Sequence, residues 1–193
     1  MQAKRRRWRK RQDWLRQNLH LLGKIVFLDE TGLNTKMART RGRSAKGQRL
    51  VASVPHGHWK SLTFIAGLRH DGIIAPWVLD GPMDGDAFIT YLKTQLAPTL
   101  NKGDVVVMDN LPAHKVAAAE AVIRESGAWV LFLPPYSPDM NPIELAFSKL
   151  KAHLKRLAMR TVDDLCDGVA QALDLFTQTE CTNFFKASGY GPE

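Results

Sequence analysis

The sequence has few of the features that mark several common protein classes. Its only two cysteines, Cys166 and Cys181, match no zinc-ligand spacing, which predicts reduced structural thiols in an intracellular protein. No apolar run is long enough to span a membrane, and the N-terminus lacks the apolar stretch of a signal peptide. The six histidines show no paired metal-ligand spacing. Neither a glycine-rich phosphate loop nor a nucleophile elbow is present.

Positive charge is present, and it is unevenly placed. The chain has a formal net charge of +8. Residues 1–24 contain nine Lys or Arg against the single acid Asp13, whereas residues 25–193 balance at eighteen of each sign. Residues 31–70 hold eight Lys or Arg and no acid, and residues 71–139 are mainly acidic. This segregation suits a polyanionic partner, although a solvated basic tail and loop would have the same composition.

Hydrophobic patterns predict one α/β domain with a mixed sheet. The predicted strands lie at about 24–28, 49–55, 61–68, 73–79, 104–109 and 128–133. The predicted helices lie at about 4–22, 84–100, 113–125, 142–158 and 162–176. An antiparallel opening followed by alternating strands and helices favours a mixed sheet flanked by helices. We interpret residues 1–24 as a short basic helix that is too small to be a domain, and residues 25–193 as the folded domain.

Two aspartates follow predicted strands. Strand alternation places Ile25, Phe27 and Asp29 on one face, so only one of Asp29 and Glu30 can point into a shared site. Asp109 ends the run VVVMD and is therefore expected at the carboxyl edge of the sheet, where ligands bind in open α/β folds. Each aspartate is equally compatible with a turn-forming role alone.

Glu144 is the third candidate acid, and it has a structural alternative. Asn141, Pro142 and Glu144 fit the N-cap, N1 and N3 positions of a helix, where a capping box would need no catalysis. The preceding segment contains four prolines within nine residues, at positions 134, 135, 138 and 142. Such a fixed backbone is consistent with accurate aiming of a side chain in the first helical turn. Three carboxylates that converge in this way could hold divalent metal against a phosphodiester.

These segments together resemble the D-D-E transposases of the mariner-type superfamily, and specifically the bacterial insertion-sequence-630 family. The resemblance rests on VFLDETG, TRGRSAKGQRLVASVPHGHWKSLTFIAGL, VVVMDNLPAHK and LPPYSPDMNPIELAFSKLK, and on the 34 residues that separate Asp109 from Glu144. It spans roughly residues 25–160, about 70% of the chain. The resemblance implies a ribonuclease H-like fold and assigns the catalytic, metal-binding triad to Asp29, Asp109 and Glu144.

The same resemblance implies DNA strand cleavage and strand transfer. It implies two Mg²⁺ ions per site, with Mn²⁺ as a substitute, since hard oxygen ligands favour these ions. Transposon ends and target DNA would be the partners, a homodimer would synapse two ends, and the protein would be cytoplasmic and associated with the bacterial nucleoid. Family members have a helix-turn-helix region before the catalytic domain. The resemblance therefore implies that residues 1–24 are a basic helical linker or the remnant of an N-terminal DNA-binding region, and that residues 25–193 are the ribonuclease H-like D-D-E catalytic domain. A truncated copy or the second of two reading frames is expected here.

Two other functions remain open from the sequence: a non-catalytic DNA-binding remnant acting as a decoy or partner of an intact transposase, and a stand-alone nuclease. Basic residues and one histidine are candidates for DNA contact. They are Arg39, Arg41, Arg43, Lys46, Lys60, His114, Lys149 and Lys151. A cap-region histidine without chemistry and a solvated helix face are the alternatives for the last three.

Overall fold

A computed structural model describes residues 2–51, 57–109 and 117–191. The strands are β1 (Ile25–Asn34), β2 (Ser61–Leu68), β3 (Ile73–Asp80), β4 (Val105–Met108) and β5 (Trp129–Phe132). The α-helices are α1 (Gln2–Gln17), α2 (Gly85–Tyr91), α3 (Ala117–Glu125), α4 (Ile143–Leu157), α5 (Val162–Leu173) and α6 (Gln178–Ala187). Shorter helical turns lie at Leu19–Lys24, Leu92–Leu96, Ala97–Thr99 and Pro138–Met140. Within these ranges, no helix is both long and apolar enough to cross a membrane.

The strands form one mixed sheet in the order β3-β2-β1-β4-β5. β1 pairs with β2, and β2 with β3, in antiparallel fashion. β4 lies parallel to both β1 and β5. The first strand is therefore the direct neighbour of the fourth. The predicted mixed sheet flanked by helices is confirmed.

Helices cover both faces of the sheet, and β1 contributes to both cores. Ile25 and Phe27 belong to the core that contains α4, α5 and α6. Val26 and Leu28 belong to the other core, under α2 and α3. The predicted alternation along β1 is thus confirmed. It directs the Asp29 side chain towards the face that α4 covers.

Three local predictions were wrong. β1 does not stop at Asp29 but continues to Asn34, because β2 pairs with it along its second half and overrides the local turn signal. Residues 49–51 of the predicted strand 49–55 are irregular and exposed, and residues 52–55 lie outside the described residues. The helix predicted at 84–100 is regular only to Tyr91 and then passes through a π turn and a 3-10 turn.

The C-terminal region also differs from its prediction. The helix predicted at 162–176 ends at Leu173, and α6 follows as a separate helix that the sequence reading did not include. α6 begins with a capping box in which Thr177 and Glu180 bond each other's backbone N–H groups. Residues 113–116 of the predicted third helix lie outside the described residues.

The N-terminal helix packs on the domain rather than standing apart from it. Trp8 is buried in the core that contains α4, and the side chain of Gln12 donates a hydrogen bond to the backbone oxygen of Ser188. The predicted domain boundary at residue 24 stays a prediction. Both the N-terminal helix and the C-terminal segment nevertheless contact the part of the fold that carries the candidate site.

Candidate active site

A cleft of about 430 Å³ opens at the carboxyl end of the parallel strands. It is lined by Asp29, Asp109, Leu133, Pro134, Pro135, Tyr136, Ser137, Pro138, Asn141 and Glu144. The last register pair of the parallel β1–β4 ladder is Leu28 with Met108, so Asp29 and Asp109 are the next residues on neighbouring strands. Neighbouring strands lie about 4.8 Å apart. The fold therefore brings together all three acids that the sequence analysis selected.

Asp29 is the buried acid of the cleft, with only 7% of its surface exposed. One carboxylate oxygen accepts a hydrogen bond from the backbone N–H of Glu30, at 2.8 Å, and the other accepts one from the side-chain amide of Asn141, also at 2.8 Å. Burial is the main cause that raises the pKa of Asp29 to about 7, against the lowering effect of the Glu30 N–H bond. The negative charges of Glu30, Asp109 and Glu144 raise this pKa further.

Asp109 and Glu144 approach the same cleft from different elements. Asp109 follows β4 and is half-buried, whereas Glu144 is exposed in the first turn of α4. Within residues 2–51, 57–109 and 117–191, no three His, Cys, Asp or Glu side chains are grouped tightly enough to hold one ion. The three acids nevertheless line one cleft, and carboxylate oxygens are the donor type that divalent cations such as Mg²⁺ bind.

A comparison with protein families identifies the family of this chain. The profile described as "DDE superfamily endonuclease" matches residues 24–166, which include all three acids. The chain belongs to this family. No curated protein matches the sequence.

Solved structures similar to this DDE-family chain are those of Mos1 transposase. The Mos1 strand transfer complex matches with a TM-score of 0.75 and 15% identity, covering 98% of this chain and 59% of that one. The catalytic domain of Mos1 mariner transposase matches with a TM-score of 0.61 and 14% identity, covering 95% of this chain and 89% of that one. The TM-scores of these matches establish the ribonuclease H-like fold. The chain spans about three fifths of the full-length structures that it matches.

Asn141 is a functional candidate that the sequence reading assigned differently. The predicted capping box of α4 is wrong, because the helix begins at Ile143, its N-cap position is Pro142, and no side chain caps it. The Asn141 amide instead donates to Asp29, while its Oδ1 is buried without a hydrogen-bond partner. An unpartnered buried oxygen beside a carboxylate costs about 1–3 kcal/mol in an otherwise dry site. The functional candidate is therefore the side-chain amide that orients Asp29 in this DDE-family cleft.

Residues near both ends of the chain form hydrogen bonds that stabilise the segment immediately before Asn141. The Tyr190 hydroxyl donates to the backbone oxygen of Met140 and accepts from the indole N–H of Trp8, each at 2.7 Å. Arg5 binds Asp139 through both guanidinium branches, at 2.6 and 3.0 Å. This guanidinium lowers the pKa of the Asp139 carboxyl. α1 and the C-terminal segment therefore fix the backbone immediately before Asn141.

Replacing Tyr190 by phenylalanine should destabilise the domain and loosen this segment. Removing one hydroxyl leaves both a buried carbonyl and a buried indole N–H unpaired, at about 1–3 kcal/mol each. For a chain of this length, at about 2–4 °C per kcal/mol, we expect the melting temperature to fall by roughly 4–24 °C. Thermal unfolding measures the change. Tyr136→Phe is the control, because Tyr136 is exposed, and an equal fall in both variants would contradict the assigned role of the Tyr190 hydroxyl.

The predicted DNA-contact residues lie in different places. Arg39, Arg41, Arg43, Lys46 and Lys60 are all exposed in the segment between β1 and β2. The Lys149 ammonium instead binds Glu180 of α6 at 2.7 Å and lies over the ring of Phe176, which is a structural role. Lys151 is half-buried on α4. His114 lies outside the described residues, and the assignment of all these side chains to DNA stays a prediction.

Proposed function

We propose that the chain is the catalytic domain of a transposase that cleaves DNA strands and transfers them to a target. The observation that carries this proposal is the cleft in which Asp29, Asp109 and Glu144 lie together at the carboxyl edge of a ribonuclease H-like sheet. Membership of the endonuclease family supports the hydrolytic part of the reaction. The finer assignment to the mariner-type superfamily and its insertion-sequence-630 family rests on the sequence resemblance.

The three acids would hold the metal ions. Hard oxygen donors from three carboxylates in one cleft fit Mg²⁺ or Mn²⁺. Structures of the similar Mos1 complexes were solved with Mn or with Mg. When bound, a pair of such ions supplies Lewis acidity for the attacking and leaving oxygens of an in-line displacement.

The chain's own residues prepare the cleft for this chemistry. Asn141 and the Glu30 N–H fix both oxygens of Asp29, so the carboxylate has one orientation before any ligand arrives. Asp29 has to lose its proton to act as a ligand, so metal binding in this cleft releases a proton and strengthens as the pH rises. Pro134, Pro135 and Pro138 form part of the cleft wall, where their fixed backbone restricts the conformations of the loop.

The partners proposed here are transposon ends and target DNA. The similar structures include a paired-end complex of Mos1 with the left transposon end and a strand transfer complex. By analogy, we propose that the active form is a homodimer that synapses two ends. We also propose that the protein is cytoplasmic and associated with the bacterial nucleoid.

A strand-joining assay tests the proposal. Wild-type protein is incubated with a pre-cut, 3′-hydroxyl-ended DNA duplex and with Mg²⁺, Mn²⁺ or chelator, and compared with Asp109→Ala and Asp109→Asn. We expect metal-dependent nicked and joined products that both variants lack, with DNA binding retained. Nicked products alone would identify a nuclease rather than a transposase. Absence of all products, with DNA bound, would overturn the proposal in favour of a non-catalytic DNA-binding domain.

A further inference from the structure

A second groove, of about 250 Å³, adjoins the cleft that contains the acids. The two cavities share Leu133, Pro134 and Pro135, so the proline-rich wall is common to both. The opposite wall of the second groove is α1, through Lys4, Arg7, Trp8 and Arg11. An acidic cleft and a basic groove thus lie next to each other and share one wall.

The basic wall is one face of α1. Lys4, Arg7 and Arg11 are spaced three and four residues apart, so they line the same side of the helix as Trp8. Trp8 is 4% exposed and fixes this face against the core, whereas the three cationic side chains are exposed. Within the described part of the chain, none of these three forms a salt bridge with an acid. The only acid of α1, Asp13, is paired with Arg16.

Contacts of Arg5 fix the position of α1, and so of the groove, relative to the cleft. Arg5, on the adjacent side of α1, binds Asp139 and the Ser137 hydroxyl, which lies 2.7 Å away. Ser137 also lines the cleft of the acids. α1 is therefore attached to the wall of the cleft by a bidentate ion pair, which has more geometric specificity than a single contact. The positions of the groove cations relative to the three acids are set by this attachment.

We propose that this groove binds the sugar-phosphate backbone of the DNA strand that continues from the scissile phosphate. The inference rests on the proposed function, because it places the scissile phosphate at the three acids. Lys4 to Arg11 span about 10 Å of helix, at about 1.5 Å per residue. That length equals the rise of about three nucleotides along one strand, at about 3.4 Å each. Exposed guanidinium and ammonium groups at this spacing match successive phosphates.

Two matched double variants test the groove. Lys4→Ala/Arg7→Ala removes two charges that line it, and Arg6→Ala/Lys10→Ala removes two exposed charges of the same helix that do not. Binding of fluorescent single-stranded and duplex oligonucleotides is measured across a salt series without divalent metal. We expect the groove variant to lower the slope of log K against log salt by about 0.7–0.9 per lost contact, or roughly 1.4–1.8. The control variant should change this slope by less than about 0.5, because its charges act on the DNA only from a distance, within a Debye length.

The outcomes separate the groove from the proposed function. An equal decrease of the salt slope in both variants, or no decrease in either, would overturn the proposal that this groove binds DNA. Binding of a poly-glutamate peptide that competes equally with the oligonucleotides would also overturn it, in favour of an acidic protein partner. Failure of the proposed function would appear differently, as wild-type protein that does not cleave DNA with any metal. Melting temperatures of both variants, which alter only exposed side chains, confirm that the comparison is made on folded protein.

Discussion

Replacing Glu144 by glutamine is expected to reduce metal-dependent DNA cleavage by about 10³-fold while leaving the fold intact. A bound divalent ion supplies several kcal/mol of transition-state stabilisation, and each 1.36 kcal/mol lost is about a factor of ten in rate. Glutamine keeps the shape of the side chain but removes its charge. Because Glu144 is exposed, its loss costs stability only through the weak interaction with the start of α4, about 0.3–1 kcal/mol.

Asp163→Asn provides the matched control for this variant. Asp163 is also an exposed acid in the first turn of a helix, but it lies on α5 and does not line the cleft. Single-turnover cleavage rates and melting temperatures should therefore agree with wild type in Asp163→Asn to within about a factor of two and about 3 °C. Equal rates for Glu144→Gln and wild type would show that Glu144 has only a structural role at the helix start.

The position of Asp109 at the end of a buried strand and the face on which Asp29 lies could be predicted from local patterns, whereas the convergence of both acids with Glu144 was implied by the family resemblance. The run VVVMD is a short apolar stretch of the kind found in buried parallel strands. The alternation along β1 fixed which of Asp29 and Glu30 faces α4. These features follow from side-chain period and hydrophobicity, which a single sequence contains in full.

The errors have a common physical cause, which is that tertiary contacts override local signals. Asp-Glu-Thr-Gly is a good turn sequence in isolation, yet β2 pairs along it and extends the strand. Asn141 is a good helix cap in isolation, yet its amide is directed to Asp29, which lies 112 positions away in sequence. The bracing of residues 137–140 by Trp8 and Tyr190 joins the two ends of the chain. The sequence contained no local pattern for these long-range contacts. The missed helix α6, by contrast, could have been predicted from the capping-box spacing of Thr177 and Glu180.

Asp29→Asn is expected to abolish cleavage and, unlike Glu144→Gln, to stabilise the metal-free protein at pH 8. The pKa of Asp29 is about 7 in the folded protein against an ordinary 3.8, so ionisation of this buried acid opposes folding. One pKa unit corresponds to about 1.36 kcal/mol, which sets an upper limit of about 4 kcal/mol on the penalty. An asparagine is neutral, and a rotated Asn141 amide can accept a hydrogen bond from it through the Oδ1 that is now unpartnered. We expect the melting temperature to rise by roughly 4–8 °C.

The pH dependence identifies the cause of this stabilisation. Between the unfolded pKa and the folded pKa the unfolded chain binds fewer protons than the native protein, so wild-type stability falls as the pH rises from about 4 to about 7. The advantage of Asp29→Asn should therefore shrink by more than half at pH 5, and Mg²⁺ should raise the melting temperature of wild type but not of the variant. Asp104→Asn is the control, since Asp104 is equally buried but bonded to Arg69 at 2.6 Å, and its substitution should destabilise the protein by about 3 kcal/mol or more. A stability gain for Asp29→Asn that is the same at pH 5 and pH 8 would show that side-chain packing, and not the buried charge, is its source.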